Sequence, residues 1–125
     1  MKKILGASIG SCVHIAGILN FLNLAAEAGY KTKFLGSAVK IDNLKIEIEK
    51  YKPDIVAVSY RLSPDSISPV FEELKDKIIT GKAREMEFIL GSTKPVAEVA
   101  KKLNIFNAIF TGEESRTEVE NYLNH

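Results

Sequence analysis

The chain has one cysteine, two histidines and no apolar run approaching the roughly 20 residues that span a bilayer. The single cysteine excludes an internal disulfide, and nothing else points to an oxidising compartment. Lysine and arginine number 17 against 16 aspartates and glutamates, for a net charge of +1. That balance removes the electrostatic case for nucleic acid. The expectation is a cytoplasmic protein with no nucleic-acid or membrane partner. MKKILGASIG opens with two lysines before apolar residues, as a secretory leader does. Its apolar part is short and broken by Gly6, Ser8 and Gly10, so a strand is the better reading.

What the chain does have is alternation. At 125 residues, 46% of them hydrophobic, it suits a single domain over residues 1–125 with a core that needs neither disulfide nor structural metal. Short apolar runs at Lys3–Ser8, Lys31–Gly36, Ile55–Tyr60, Glu87–Gly91 and Ala108–Gly112 read as strands. Between them lie helical patterns. The first, from His14 to Ala28, carries Ile15, Ile18, Leu19, Leu22, Ala25 and Ala26 on one face, and Gly29 suits its left-handed stop. The second, over IDNLKIEIEKYK, turns Leu44, Ile48 and Tyr51 inward, with Asp42 or Asn43 as its cap and Pro53-Asp54 as its end. A third runs from Pro69 to about Thr80, where EELKDK forms a solvated face with a Glu73–Lys77 pair. PVAEVAKKLN and SRTEVENYLNH complete the set. IVAVSY is apolar almost throughout, as a strand buried on both faces is. The predicted fold is α/β, a flavodoxin-like (Rossmann-like) doubly wound parallel sheet of five strands in the order 2-1-3-4-5. Ligands of such sheets bind beyond the carboxyl ends of the strands, where the order reverses. The loops to watch are therefore Ile9–Ala16, Tyr60–Ser68 and Gly91–Lys94.

Several common chemistries are absent from those loops. A phosphorylatable receiver needs an acidic pair after the first strand and an aspartate after the third. Ser8–Gly10 and Ser59–Arg61 stand there instead. No Gly-Lys-Ser/Thr follows a strand, and Gly6, Gly10 and Gly17 are too far apart for GxGxxG. The first loop, SCVHIAG, offers another option. A histidine there can reach a metal with one ring nitrogen if a neighbour orients the other. Gly17 leaves room for something bulky beside the helix start. His14 as a plain surface or capping residue, and Cys12 as a small hydrophobe, are the bland readings of the same residues.

CVHIAG resembles the D-x-H-x-x-G motif of cobalamin-binding domains, with His14 and Gly17 matching and Cys12 in the aspartate's place. SYRLSP resembles the family's S-x-L and following Ser/Thr-Pro: Ser59 and Ser63 match, and Arg61 replaces leucine. Gly91-Ser92 stands where the family has Gly-Gly. The resemblance implies a corrinoid bound base-off, with His14 as lower axial ligand to cobalt. Its nucleotide tail would enter a cavity lined by Ser59, Ser63, Gly91 and Ser92. The departures change the physics. Cysteine is a weak hydrogen-bond acceptor, so His14 would be a less basic, less firmly oriented ligand. Arg61 would either pair with the tail phosphate or obstruct the cavity.

Such a domain does no chemistry alone. The resemblance implies a partner catalytic subunit or domain, often a barrel, of a mutase or methyltransferase. With no helical cap ahead of it, the chain is expected to be a small mutase-type subunit or a domain of a longer protein. The alternatives are a cofactor-free interaction or regulatory module of the same fold, and a flavin or nucleotide binder using the same crevice.

Overall fold

The structure is a computed structural model and describes residues 2–10, 15–62, 67–79, 86–112 and 116–124. Five parallel strands, β1 (Lys3–Ser8), β2 (Lys31–Phe34), β3 (Ile55–Tyr60), β4 (Glu87–Ser92) and β5 (Ala108–Phe110), form one sheet in the order β2-β1-β3-β4-β5. Helices α1 (Ala16–Glu27), α2 (Ile41–Tyr51), α3 (Ile67–Leu74), α4 (Lys94–Leu103) and α5 (Arg116–Leu123) alternate with them. This is the predicted flavodoxin-like α/β topology. Among the described residues no helix is long and apolar enough to cross a membrane.

The two-residue period of the strands divides the core. Leu5, Ala7, Val56, Val58, Tyr60, Phe88 and Leu90 join the core that α2, α3 and α4 cover, where Phe71 packs edge-on to Phe106 at 5.2 Å between ring centroids. Ile4, Ile55, Ala57 and Ile89 face the other way, against Ile18, Leu22 and Ala25 of α1 and Leu123 of α5. All six residues of β3 are buried, as expected of the central strand. Leu44 and Ile48 of α2 are buried and Tyr51 is half-buried, with Ile41 buried beside them.

Several boundaries differ from the sequence pattern. α1 begins at Ala16 rather than His14, and it is rotated so that Leu24 is buried while Leu19 is exposed. The run of apolar residues between Ile18 and Ala26 fits more than one face, and packing on the sheet chooses between them. α2 starts ahead of Asp42 and Asn43. Lys40, in extended backbone, is its N-cap without a side-chain bond, because burial of Ile41 anchors the first turn. Asp42 instead sits within that turn and accepts a 2.8 Å hydrogen bond from Lys77, which also reaches Glu73 at 2.7 Å. That bond, then the lysine's charge, lowers the Asp42 pKa. The predicted Glu73–Lys77 pair is thus also a link from α3's continuation to α2. α3 opens at Ile67, ahead of Pro69, and passes into a π-helical turn over Lys75–Ile79. β2 stops at Phe34, and the chain leaves the sheet edge through Gly36 at φ +120°. Helices α2 and α4 end on Lys52 and Asn104, both left-handed. The Asn107 side chain accepts from the Phe88 N–H at 2.7 Å, while its own N–H donates to the Phe88 carbonyl at 2.7 Å, guiding β5 onto β4.

α5 is tied down by two tyrosines. The Tyr30 hydroxyl donates to the Leu123 carbonyl, and the Tyr122 hydroxyl donates to Glu87 at 3.2 Å. Burial first, then the Glu87 charge, raises the Tyr122 pKa well above its ordinary value. A phenol that holds its proton more tightly when folded stabilises the fold up to about pH 10, the unfolded value. That stability is lost as pH rises further towards the folded value. Tyr122→Phe is therefore expected to make the stability decline above about pH 10 shallower, as read by urea midpoints across pH.

Gly6 faces α1. A Cβ there would lie 2.9 Å from Cδ1 and 3.3 Å from Cδ2 of the buried Leu22. Gly6→Ala is expected to cost about 1–3 kcal/mol through overpacking, less the small gain of replacing a strand glycine. Chemical denaturation should show the lowered midpoint with an unchanged m-value.

Candidate functional site

The strand register sets the shape of the α1–α5 side. Paired residues of parallel neighbours share a face, and two rows cross the sheet near its carboxyl edge. One row is Gly6, Ala57, Ile89 and Ala108, and the next is Ser8, Ser59, Gly91 and Phe110. Nearer the amino edge, Ile4 is opposite Ile55. Beyond Ile4 and Ile55 this face of β1 and β3 carries only small residues, and β4 steps from Ile89 down to Gly91. At Gly6 the helix is in contact, whereas a Cβ on Gly91 would meet nothing within 4 Å. α1 thus closes on the sheet around Gly6, and Gly91 faces open space.

The result is a cavity of about 150 Å³ at the carboxyl edge. Its floor is Ala57, Ser59 and Gly91, and its walls include Phe21 and Leu24 of α1, Phe110 of β5 and Val119 of α5. Phe21 and Phe110 lie 6.1 Å apart between centroids, and Tyr122 packs edge-on to Phe110 at 5.7 Å. An apolar cavity of about this size accepts a flat ring such as benzene. Ser59 and Asn20 supply polar groups to an otherwise largely apolar lining. Arg61, just beyond β3, lies at the mouth. A Cβ built on Gly17 would stand 3.1 Å from its Nη2, and one on Gly112 would stand 3.7 Å away. That one nitrogen therefore lies between the first turn of α1 and the turn after β5, where Gly112 has φ +89°. The room that Gly17 leaves is taken by this side chain.

Of the residues singled out from sequence, Gly17, Ser59, Arg61 and Gly91 converge on this one cavity. Ser92 does not line it. Strand β4 continues through Ser92, so the alternation turns that side chain to the α4 face, where its hydroxyl donates to the Thr93 carbonyl at 2.9 Å. Cys12 and His14 lie outside the described residues, in the segment between Gly10 and Ile15, and so does Ser63. Sequence reading missed Phe21, Ala57, Phe110 and Gly112. Ala57 was accessible to it, because it precedes Ser59 by one strand period. Phe110 and Phe21 were not, since their place depends on how far β5 and α1 lean over the sheet.

No protein-family model matches the sequence, and no curated protein matches it. Solved structures do. One is a cobalamin-binding protein from Desulfitobacterium hafniense DCB-2, with TM-score 0.76 and 20% identity over 98% of this chain. The chain has the fold of that protein. A second is from the methanol:cobalamin methyltransferase complex MtaBC of Methanosarcina barkeri, with TM-score 0.73 and 15% identity over 97% of this chain. The alignments take in 58% and 51% of those two chains, so this chain spans little more than half of their length. At these identities the likeness establishes a common fold.

Filling the open space beside Gly91 separates cavity from scaffold. Gly91→Val is expected to hold or raise the melting temperature, because a Cβ there meets nothing within 4 Å and valine favours strands by up to about 1 kcal/mol. A drop of several degrees in a thermal melt would show instead that the space is already filled by packing.

Proposed function

We infer that this chain is a corrinoid-binding domain that presents its cofactor to a partner catalytic subunit. The observation that carries the reading is the cavity beside Ser59 and Gly91, at the carboxyl edge of a sheet whose fold is that of a cobalamin-binding protein. The donor set suits the group. An apolar slot of about 150 Å³ can accept an aromatic ring, Ser59 offers a hydroxyl to its ring nitrogen or ribose, and Gly91 leaves the backbone open to close approach.

His14 is the candidate cobalt ligand in this reading. Its place in the sequence is the loop that leaves β1 and enters α1. An imidazole ligand needs its second nitrogen held by an acceptor, and Cys12 is the residue two positions earlier. The thiol accepts weakly, so the ligand is expected to be less basic than one held by a carboxylate. A bound corrinoid would supply organometallic chemistry at cobalt that amino-acid side chains lack. The chain's own share is to bind the tail, fix the imidazole and keep one face of the ring free. The substrate would come from another subunit, a reading supported by the second structural neighbour being part of a methyltransferase complex.

Titration with hydroxocobalamin and adenosylcobalamin, followed by visible absorbance, tests the reading. Wild type is expected to bind base-off with histidine on cobalt, and His14→Ala is expected to lose that spectrum. Cys12→Asp should tighten binding by roughly 10–100-fold, the usual size of an outer hydrogen-bond effect at a metal ligand. If no corrinoid binds at micromolar protein, the domain is a cofactor-free relative, and partners of its surface become the question.

A further inference from the structure

The cavity contains one charged side chain among its described lining residues, and that side chain stands at the mouth. Arg61 is not a peripheral solvated group. Its Nη2 sits between Gly17 and Gly112, where a Cβ on either glycine would come within 3.1 or 3.7 Å of it. Gly17 belongs to the first turn of α1, a helix with no acidic residue in that turn and no side-chain bond at its N-cap. The first N–H groups of a helix and the positive end of its dipole repel a cation and attract an anion. Here a guanidinium has been brought against that same end. The guanidinium and the helix start, two groups that can each bind an anion, lie side by side at the edge of the largely apolar slot that Phe21 and Phe110 help to line.

We propose that Arg61 is a specificity-determining residue that clamps a phosphate at the cavity mouth, so that the cavity selects an aromatic ring carrying a phosphoribosyl group. A planar guanidinium binds phosphate through two parallel N–H···O bonds, and the helix start can add backbone donors. The ring lies in the slot, the ribose passes Ser59 and the phosphate meets Arg61. Two sources carry this chemistry: the nucleotide tail of a corrinoid, and a free nucleotide. The proposal rests on the corrinoid reading only for which of the two is the natural ligand.

Calorimetry on the whole chain tests it with three probes: dimethylbenzimidazole riboside, the same riboside bearing a 3′-phosphate, and adenosine monophosphate. Wild type is expected to bind the phosphorylated riboside about tenfold or more tightly than the bare one, with the preference falling as salt rises. Arg61→Leu should abolish the preference while leaving affinity for the bare riboside in place, and Arg61→Lys should retain part of it. Thermal melts matching wild type confirm that both variants fold. If Arg61→Leu binds the phosphorylated riboside as well as or better than wild type, the guanidinium is a plug and the proposal is overturned. It is overturned equally if wild type binds no phosphorylated probe. An Arg61-dependent preference without uptake of hydroxocobalamin would keep the clamp and remove the corrinoid reading. Tighter binding of adenosine monophosphate than of the phosphorylated riboside, lost in Arg61→Leu, would keep the clamp and assign it to free nucleotides. Corrinoid uptake with no phosphate preference would do the reverse.

Discussion

The close approach of α1 to the sheet at Gly6 governs what the rest of this face can be. Leu22 sits where the first atom of any larger side chain would have to go, so the helix is pinned there. From that contact α1 runs towards its own N-terminus alongside strands whose residues stay small through Ala57, Ser59 and Gly91. A rigid helix cannot bend to follow a receding floor over so short a span. The gap that remains is therefore a geometric consequence of one tight contact and a row of small residues. It needs no strained loop to hold it open. On the other face the same strands carry Val56, Val58, Phe88 and Leu90, and these pack to a dense core. The asymmetry between the faces is written in the parity of the strands.

Much of this was legible before any coordinates. The strands are apolar runs too short for helices, and their alternation with amphipathic segments leaves few topologies. The crevice followed from the topology, which is why Gly17, Ser59, Arg61 and Gly91 were found together although they come from distant parts of the chain. Ser92 shows where the reasoning stops. Ending the fourth strand at Gly91 leaves the next residue free to point anywhere, whereas one more residue of strand turns it firmly away. Leu19 and Leu24 make the same point for helices: both fit an apolar stripe, and only the sheet decides between them. The reach of Arg61 was beyond sequence altogether, because it depends on two glycines brought near it by the fold.

The electrostatic character of the crevice differs from that of the surface around it. On the surface, Lys77 bridges Asp42 and Glu73, and Lys33 lies 3.6 Å from Glu47. Such exposed pairs contribute little to stability and mostly keep the surface soluble. Arg61 lies beside apolar lining and a helix start, where water is partly excluded and a charge is felt more strongly.

The walls of the cavity come from opposite ends of the chain: Gly17 and Phe21 near the start, Phe110 and Val119 near the finish. Contacts between such distant segments close long loops and carry a larger entropic cost than local ones. The tyrosines that dock α5 complete this closure. A half-folded chain, even with its central strands in place, would have no cavity to offer. Any molecule that fits there recognises only the finished protein, and by occupying the seam it fastens the first helix to the last.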